Sequence, residues 1–135
     1  MDEKDSQILE ILKEDGRASY TRIAEEISVS EGTVRNRVEK LQEDGVIEKF
    51  TVEIGGEKGV SAFVSVSVST GRGFDEVISE FPEDVEVFEV AGDMDILVKV
   101  VRGSSREIND AVDKIREVNG VENTKTYMIL SRKRS

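Results

Sequence analysis

The sequence predicts an α+β protein built in two parts, and three observations carry that prediction. Apolar residues in the first 45 positions recur at helical spacing. At Val60 the period shortens to two. Beyond it, short extended runs alternate with two further helical patterns in the order β-α-β-β-α-β. The division is drawn at residues 1–52 for the helical part, 53–59 for a linker and 60–135 for the mixed part.

At 135 residues the chain is long enough for one domain or two small ones. Its apolar content is 37%, below the globular average but regularly spaced, so a core is expected. Neither cysteine nor histidine is present. Disulfides, thiolate and imidazole metal sites and a histidine base are therefore excluded, and no metal, cofactor or catalytic residue is expected. The opening "MDEKDSQ" is polar, and no apolar run approaches the roughly 18 residues that span a bilayer. A soluble, cytoplasmic protein with no membrane partner is expected.

The net charge of −10 argues against generic attraction to phosphate. Residues 1–50 hold 8 Lys+Arg and 13 Asp+Glu, and residues 51–135 hold 11 and 16. Both stretches are equally acidic, so any surface for nucleic acid must be a local patch. Such acidity also fits a salt-rich cytoplasm, and hence a halophilic source.

The first helix is read from "KDSQILEILKEDG", with Ile8, Ile11 and Leu12 on one face, Asp5 as N-cap and Gly16 as stop. The second comes from "YTRIAEEIS", with Ile23, Ala24 and Ile27 facing inward, Ser19 or Thr21 as cap and Ser28 closing it. Ser30 caps the third, in which Val34, Val38 and Leu41 form one narrow stripe. At about 100° per residue, Gly32, Thr33, Asn36 and Lys40 point away from that stripe, with Arg35 and Arg37 on its flanks.

Three short helices cannot each bury a face alone, so they share a core. Ala24 allows the second and third to cross closely, and Val29 plugs the turn. This is helix-turn-helix geometry, in which the third helix enters the major groove of double-stranded DNA. The exposed start of that helix favours phosphate, and Gly32 lets a backbone approach. Arg35, Asn36 and Arg37 carry donors suited to guanine edges, adenine edges and phosphates. Tyr20, Thr21, Arg22, Ser30, Glu31, Thr33 and Lys40 complete the candidate surface, with Glu31 and Glu39 tempering affinity for generic DNA. Basic residues on an exposed helix usually only solvate it. Here the turn length, cap, small residue and stripe all agree. After Gly45, residues Val46, Ile47, Phe50, Val52 and Ile54 suggest a short wing or an exiting strand, with Lys49 its one basic contact.

In "VSAFVSVSVST", Val60, Ala62, Val64, Val66 and Val68 face one way, with Ser61, Ser65, Ser67 and Ser69 between them and Phe63 interrupting the serine face. "GFDEVISEF" is helical up to Pro82, "VEVFEV" is a strand, "AGD" a turn and "DILVKVV" a nearly continuous apolar strand. "SSREINDAVDKIREVNG" is a helix capped by Ser104 or Ser105 and stopped at Gly120. "VENTKTYMIL" is the last strand, followed by a basic tail, "SRKRS". The order is that of a ferredoxin-like, ACT-like split βαβ unit: a four-stranded antiparallel sheet with two helices on one face. The open sheet face is expected to be covered by a second chain in a two-fold homodimer, which predicts a palindromic DNA site.

The chain as a whole resembles the Lrp/AsnC (feast/famine) family of prokaryotic transcription regulators. "DSQILEILKEDGRASYTRIAEEISVSEGTVRNRVEKLQEDGVIEKFTVEI" is similar to the family's N-terminal winged helix-turn-helix domain. "VFEVAGDMDILVKV" is similar to its effector-sensing domain, in which a Gly-x-x-Asp turn introduces an apolar strand. The resemblance implies dimers that often associate into octamers, and control of amino-acid or central metabolism. It also implies a small effector, often an amino acid, bound near that turn. By position, Gly92, Asp93, Met94 and Asp95 form the sensing turn. Asp93 or Asp95 would pair with an α-ammonium, and backbone N–H groups would take a carboxylate. Thr124 and Thr126 on the last strand are weaker candidates. The alternative is that a Gly-Asp turn between strands is simply a turn.

Three functions compete. The first is a sequence-specific transcription regulator, which is not an enzyme. The second is a tetrapyrrole (sirohaem) decarboxylase of the same two-domain plan, which relies on histidine; its absence here argues against that role. The third is a DNA-compacting protein with little site preference, which the acidic charge disfavours.

Overall fold

A computed structural model describes residues 1–54, 59–69 and 71–134. The chain divides into two compact units, Met1–Ile54 and Gly55–Ser135. The boundary lies two residues beyond the expected end of the first part. Most of the expected linker, at 55–58, lies outside the described residues.

The first unit holds α1 (Glu3–Glu14), α2 (Tyr20–Ile27) and α3 (Glu31–Glu43). Asp2, not Asp5, caps α1. Its side chain accepts from the Asp5 backbone N–H, and the Asp5 side chain accepts from that of Asp2. The helix starts three residues earlier than expected because this reciprocal pair satisfies two orphan donors, where a cap at Asp5 would satisfy one. At the other end the cap residue is Asp15, just before Gly16.

Ser19 caps α2, its oxygen accepting from Arg22 N–H. Ser28 then takes a left-handed conformation (φ 58°), which lets the N–H of Val29 return to the carbonyl of Ala24. This bend allows α3 to start after two further residues. Ile8, Ala18, Ile23, Ala24, Ile27, Val34 and Val38 form the shared core, with Val29 and Ile47 packed against it.

The first unit contains no strand among its described residues. Neither the short wing nor the exiting strand expected around residues 46–54 forms among the described residues. Ile47 is anchored by its N–H to Leu41 O, but Phe50, Val52 and Ile54 stay exposed. Strand propensity needs a hydrogen-bonded neighbour, and nothing in the unit supplies one.

The second unit holds β1 (Val60–Val68), α4 (Phe74–Ile78), β2 (Glu86–Glu89), β3 (Ile96–Arg102), α5 (Ser105–Arg116) and β4 (Val121–Met128). The sheet order is β2-β3-β1-β4, antiparallel throughout. Ala62, Val64 and Val66 stand between Ile96, Val98 and Val100 on one side and the β4 edge on the other. They pack against Val77, Phe81, Ile108, Ala111, Val112 and Ile115 from the helix layer. Ser104 is the cap of α5. The helix expected before Pro82 is only one turn long, yet Phe81 beyond it is still buried.

The opposite sheet face carries Ser61, Phe63, Ser65, Leu97, Lys99 and Val101, with Phe88 and Tyr127 opposite Leu97 and Phe63. Ser61 and Ser65 are buried although α4 and α5 pack on the other face. Ser65 sits between Leu97 and Lys125, whose longer side chains shield it.

Candidate nucleic-acid interface and sensing turn

The stripe of Val34, Val38 and Leu41 seats α3 on the core. That orientation leaves Ser30, Glu31, Gly32, Arg35, Asn36 and Lys40 exposed and Thr33 half-buried. The Ser30 hydroxyl accepts from Thr33 N–H at 3.1 Å and lies 2.8 Å from Thr33 Oγ1. Gly32 has open space around it: an added Cβ would meet only Ser30 Oγ, at 4.0 Å. Nothing inside the unit therefore demands glycine there. An outside backbone, such as a phosphodiester, would.

The three arginines near the turn are each held by carboxylates. Arg35 Nη2 donates to Glu31 Oε1 at 2.8 Å and its guanidinium lies 5.7 Å from the Tyr20 ring centroid, in reach of a cation–π contact. Glu31 Oε2 also accepts from Thr21 Oγ1 at 3.2 Å, which joins the starts of α2 and α3. Arg22 donates to Glu26 and Asp15, and those two carboxylates raise its pKa, Glu26 more strongly. Arg37 donates to Asp2 and Asp5, which likewise raise its pKa. The Asp2 carboxyl is held below its ordinary range, first by the backbone N–H of Asp5 and then by Arg37. Asn36 and Lys40 make no side-chain hydrogen bond or ion pair among the described residues.

Asp2 and Lys4 take part in this surface without having been singled out from the sequence, in which Asp5 reads only as a helix cap. Their pairing with residues more than twenty positions away leaves no local trace. One signal was available: at 100° per residue Arg37 falls about 60° from Val34, nearer the buried stripe than Arg35 at about 100°.

In the second unit, Gly92 has φ 142° in the bend between β2 and β3. Asp93 is exposed and Met94 half-buried. Asp95 works as a brace: its Oδ2 accepts from Val68 N–H at 2.9 Å, its N–H donates to Val66 O and its carbonyl accepts from Val90 N–H. Of the two aspartates expected to pair with an α-ammonium, Asp93 makes no side-chain hydrogen bond or ion pair among the described residues. Thr124 pairs in register with Val66 and accepts from Arg116 Nε at 2.9 Å, and Thr126 pairs with Val64. Val66 also pairs with Ile96. Thr124 thus lies at the same end of the sheet as the turn but two strand spacings away, roughly 10 Å. No cluster of acidic residues suited to a metal occurs among the described residues.

A three-helix unit presenting a capped, donor-rich helix, followed by an antiparallel βαββαβ unit, defines the class of DNA-binding regulators with a sensing domain. Residues 1–42 match the AsnC-type helix-turn-helix domain and residues 61–135 the Lrp/AsnC ligand binding domain. The chain belongs to the Lrp/AsnC family. It is 40% identical over 136 residues to the HTH-type transcriptional regulator FL11 of Pyrococcus horikoshii, covering 96% of this chain and 89% of that one. It is 42% identical over 134 residues to the HTH-type transcriptional regulator LysM of Saccharolobus solfataricus, covering 96% and 94%. Its fold matches the leucine response regulatory protein LrpA of Mycobacterium tuberculosis with TM-score 0.84 at 26% identity, over 100% of this chain and 96% of that one. These relatives are transcriptional regulators, and the decarboxylase reading is not favoured. No helix among the described residues is long and apolar enough to cross a membrane.

Proposed function

We propose that this DNA-binding regulator acts as a two-fold homodimer, joined through the open sheet faces, that reads a palindromic operator and responds to a small amino-acid effector. The carrying observation is the exposed set of Gly32, Arg35, Asn36 and Lys40 on the side of α3 away from its buried stripe and on its flank, with Ser30 capping the helix start. Arg35 and Asn36 reach base edges, Ser30, Thr33 and Lys40 take phosphates, and Tyr20, Thr21 and Arg22 flank them from α2. An exposed i,i+4 ion pair such as Arg35–Glu31 is worth only about 0.3–0.5 kcal/mol. Arg35 therefore exchanges Glu31 for guanine at little cost, while Glu31 repels phosphates that arrive without that exchange.

The dimer proposal rests on Phe63, Leu97, Phe88, Val101 and Tyr127, which gather apolar area around Ser61, Ser65 and Lys99 on the sheet side away from α4 and α5. The effector proposal rests on the exposed Asp93 carboxylate beside the open backbone of Gly92, with Met94 and the Asp95 brace shaping the turn. The leucine-response name of the LrpA relative points to the same ligand class. Selection of bound duplexes from a random pool, with and without a panel of free amino acids, tests both. Enrichment of a palindrome that shifts with one amino acid is expected. A pool left unenriched under every condition would refute the proposal.

A further inference from the structure

Arg37 departs from the other basic residues of α3. It lies two positions from Arg35, yet its side chain is 32% exposed against 51%. Its Nη1 donates to both oxygens of Asp2, at 2.9 and 2.7 Å, and to Asp5 Oδ1 at 3.1 Å. Asp5 is only 16% exposed. Both carboxylates are already fixed by the capping box that starts α1. The same turn carries Lys4, whose Nζ donates at 2.6 Å to the carbonyl of Ile27, the last residue of α2. A cation at that end of a helix satisfies an orphan carbonyl and complements the dipole. The start of α1 thus grips the residue before the bend and one from the middle of the helix after it.

Two carboxylates on one guanidinium leave Arg37 no net positive charge to offer, and Lys4 in the same turn only brings the cluster to neutrality. A phosphate gains nothing by approaching it, because Arg37 would have to surrender two preorganised anions for one. Arg35 differs, since it leaves a single flexible Glu on its own helix. We propose that Arg37 is a positioning residue: with Asp2, Asp5 and Lys4 it sets the tilt of the recognition helix and hence which sequence is read. This rests on the DNA-reading role above. The tip of a side chain lies roughly 6 Å from the helix axis, so a tilt of roughly 10° moves the ends of Arg35 and Asn36 by about 1 Å. Bidentate base contacts do not survive a shift of that size.

The test uses the full chain with the double variant Asp2→Asn/Asp5→Asn, together with Arg37→Gln and Arg37→Lys. Asn keeps a capping oxygen at position 2, so α1 starts at the same place. Affinities for the selected operator and for a scrambled duplex are measured across a salt series, at a temperature where circular dichroism shows every variant folded. The operator-to-scrambled ratio should fall about tenfold in the double variant and in Arg37→Gln, the size of one lost base contact. Arg37→Lys should recover part of it, and the salt slope should not change. The double variant removes two negative charges, so electrostatics alone predicts equally tighter binding to both duplexes, and that gain at an unchanged ratio would overturn the proposal. So would a slope reduced by about 0.9 in Arg37→Gln, the mark of a phosphate contact. An unchanged ratio in all variants would overturn it as well. If the double variant does not fold, Asp2→Asn alone carries the same expectation at smaller size. A wild-type chain that enriches no site would remove the regulatory reading and this inference together, whereas a wild type that binds its site while the ratio holds removes the inference alone.

Discussion

The exposed face of α3 and the exposed face of the sheet are both left without cover, and they differ in every other respect. The α3 face is polar, and its donors are exposed or held by single, replaceable carboxylates. The sheet face is mainly apolar, built from Phe63, Leu97, Val101 and Tyr127 around small serines, with Lys99 and Lys125 its cations. A polar face with replaceable partners suits a hydrated, charged ligand, where each contact substitutes for water at little net cost. An apolar face on a rigid sheet suits a second copy of the same surface, where burial itself drives association. The proposed function assigns the first surface to nucleic acid and the second to a partner copy of the chain.

Substitutions on the two faces should separate these roles. The largest effect is expected from Leu97→Glu, which places an unpaired charge in the proposed dimer face. It should weaken self-association by roughly 3–5 kcal/mol while the sheet stays folded; a dimer unchanged in sedimentation would refute that use of the face. Arg35→Ala should cost about 1–3 kcal/mol in operator binding with no change in melting temperature, checked by titration and thermal melts. Ser30→Ala removes the cap of α3 and should destabilise the first unit by about 1 kcal/mol, seen as a lower denaturation midpoint. Gly32→Ala sharpens the contrast most: with open space at that position, it should raise stability by roughly 0.5–1 kcal/mol. The same methyl should weaken operator binding by crowding the DNA backbone, and improved binding would remove Gly32 from the interface.

The elements legible in advance were those whose pattern is local. The stripe of Val34, Val38 and Leu41, the cap at Ser30 and the alternation from Val60 to Val68 appear where the sequence places them, and of the open pairs Ser19/Thr21 and Ser104/Ser105 the caps are Ser19 and Ser104. Errors arose where a segment needs a distant partner. The wing at 46–54 has strand-forming residues but no neighbour to pair with. Asp5 looked like a cap because the reciprocal bond with Asp2 is a property of the folded turn.

The sequence by itself determined the two-part α+β plan, the buried faces and the donor-bearing side of α3, because periodicity and capping depend only on neighbours a few residues away. The tertiary structure alone decided what each charge does. Arg35 and Arg37 are the same residue type two positions apart, and one faces solvent while the other is held by Asp2 and Asp5. Asp93 and Asp95 share one turn, and only Asp95 is taken up by the backbone of β1. An ionic side chain's role follows from which groups folding brings within hydrogen-bond distance, and chain separation says nothing about that.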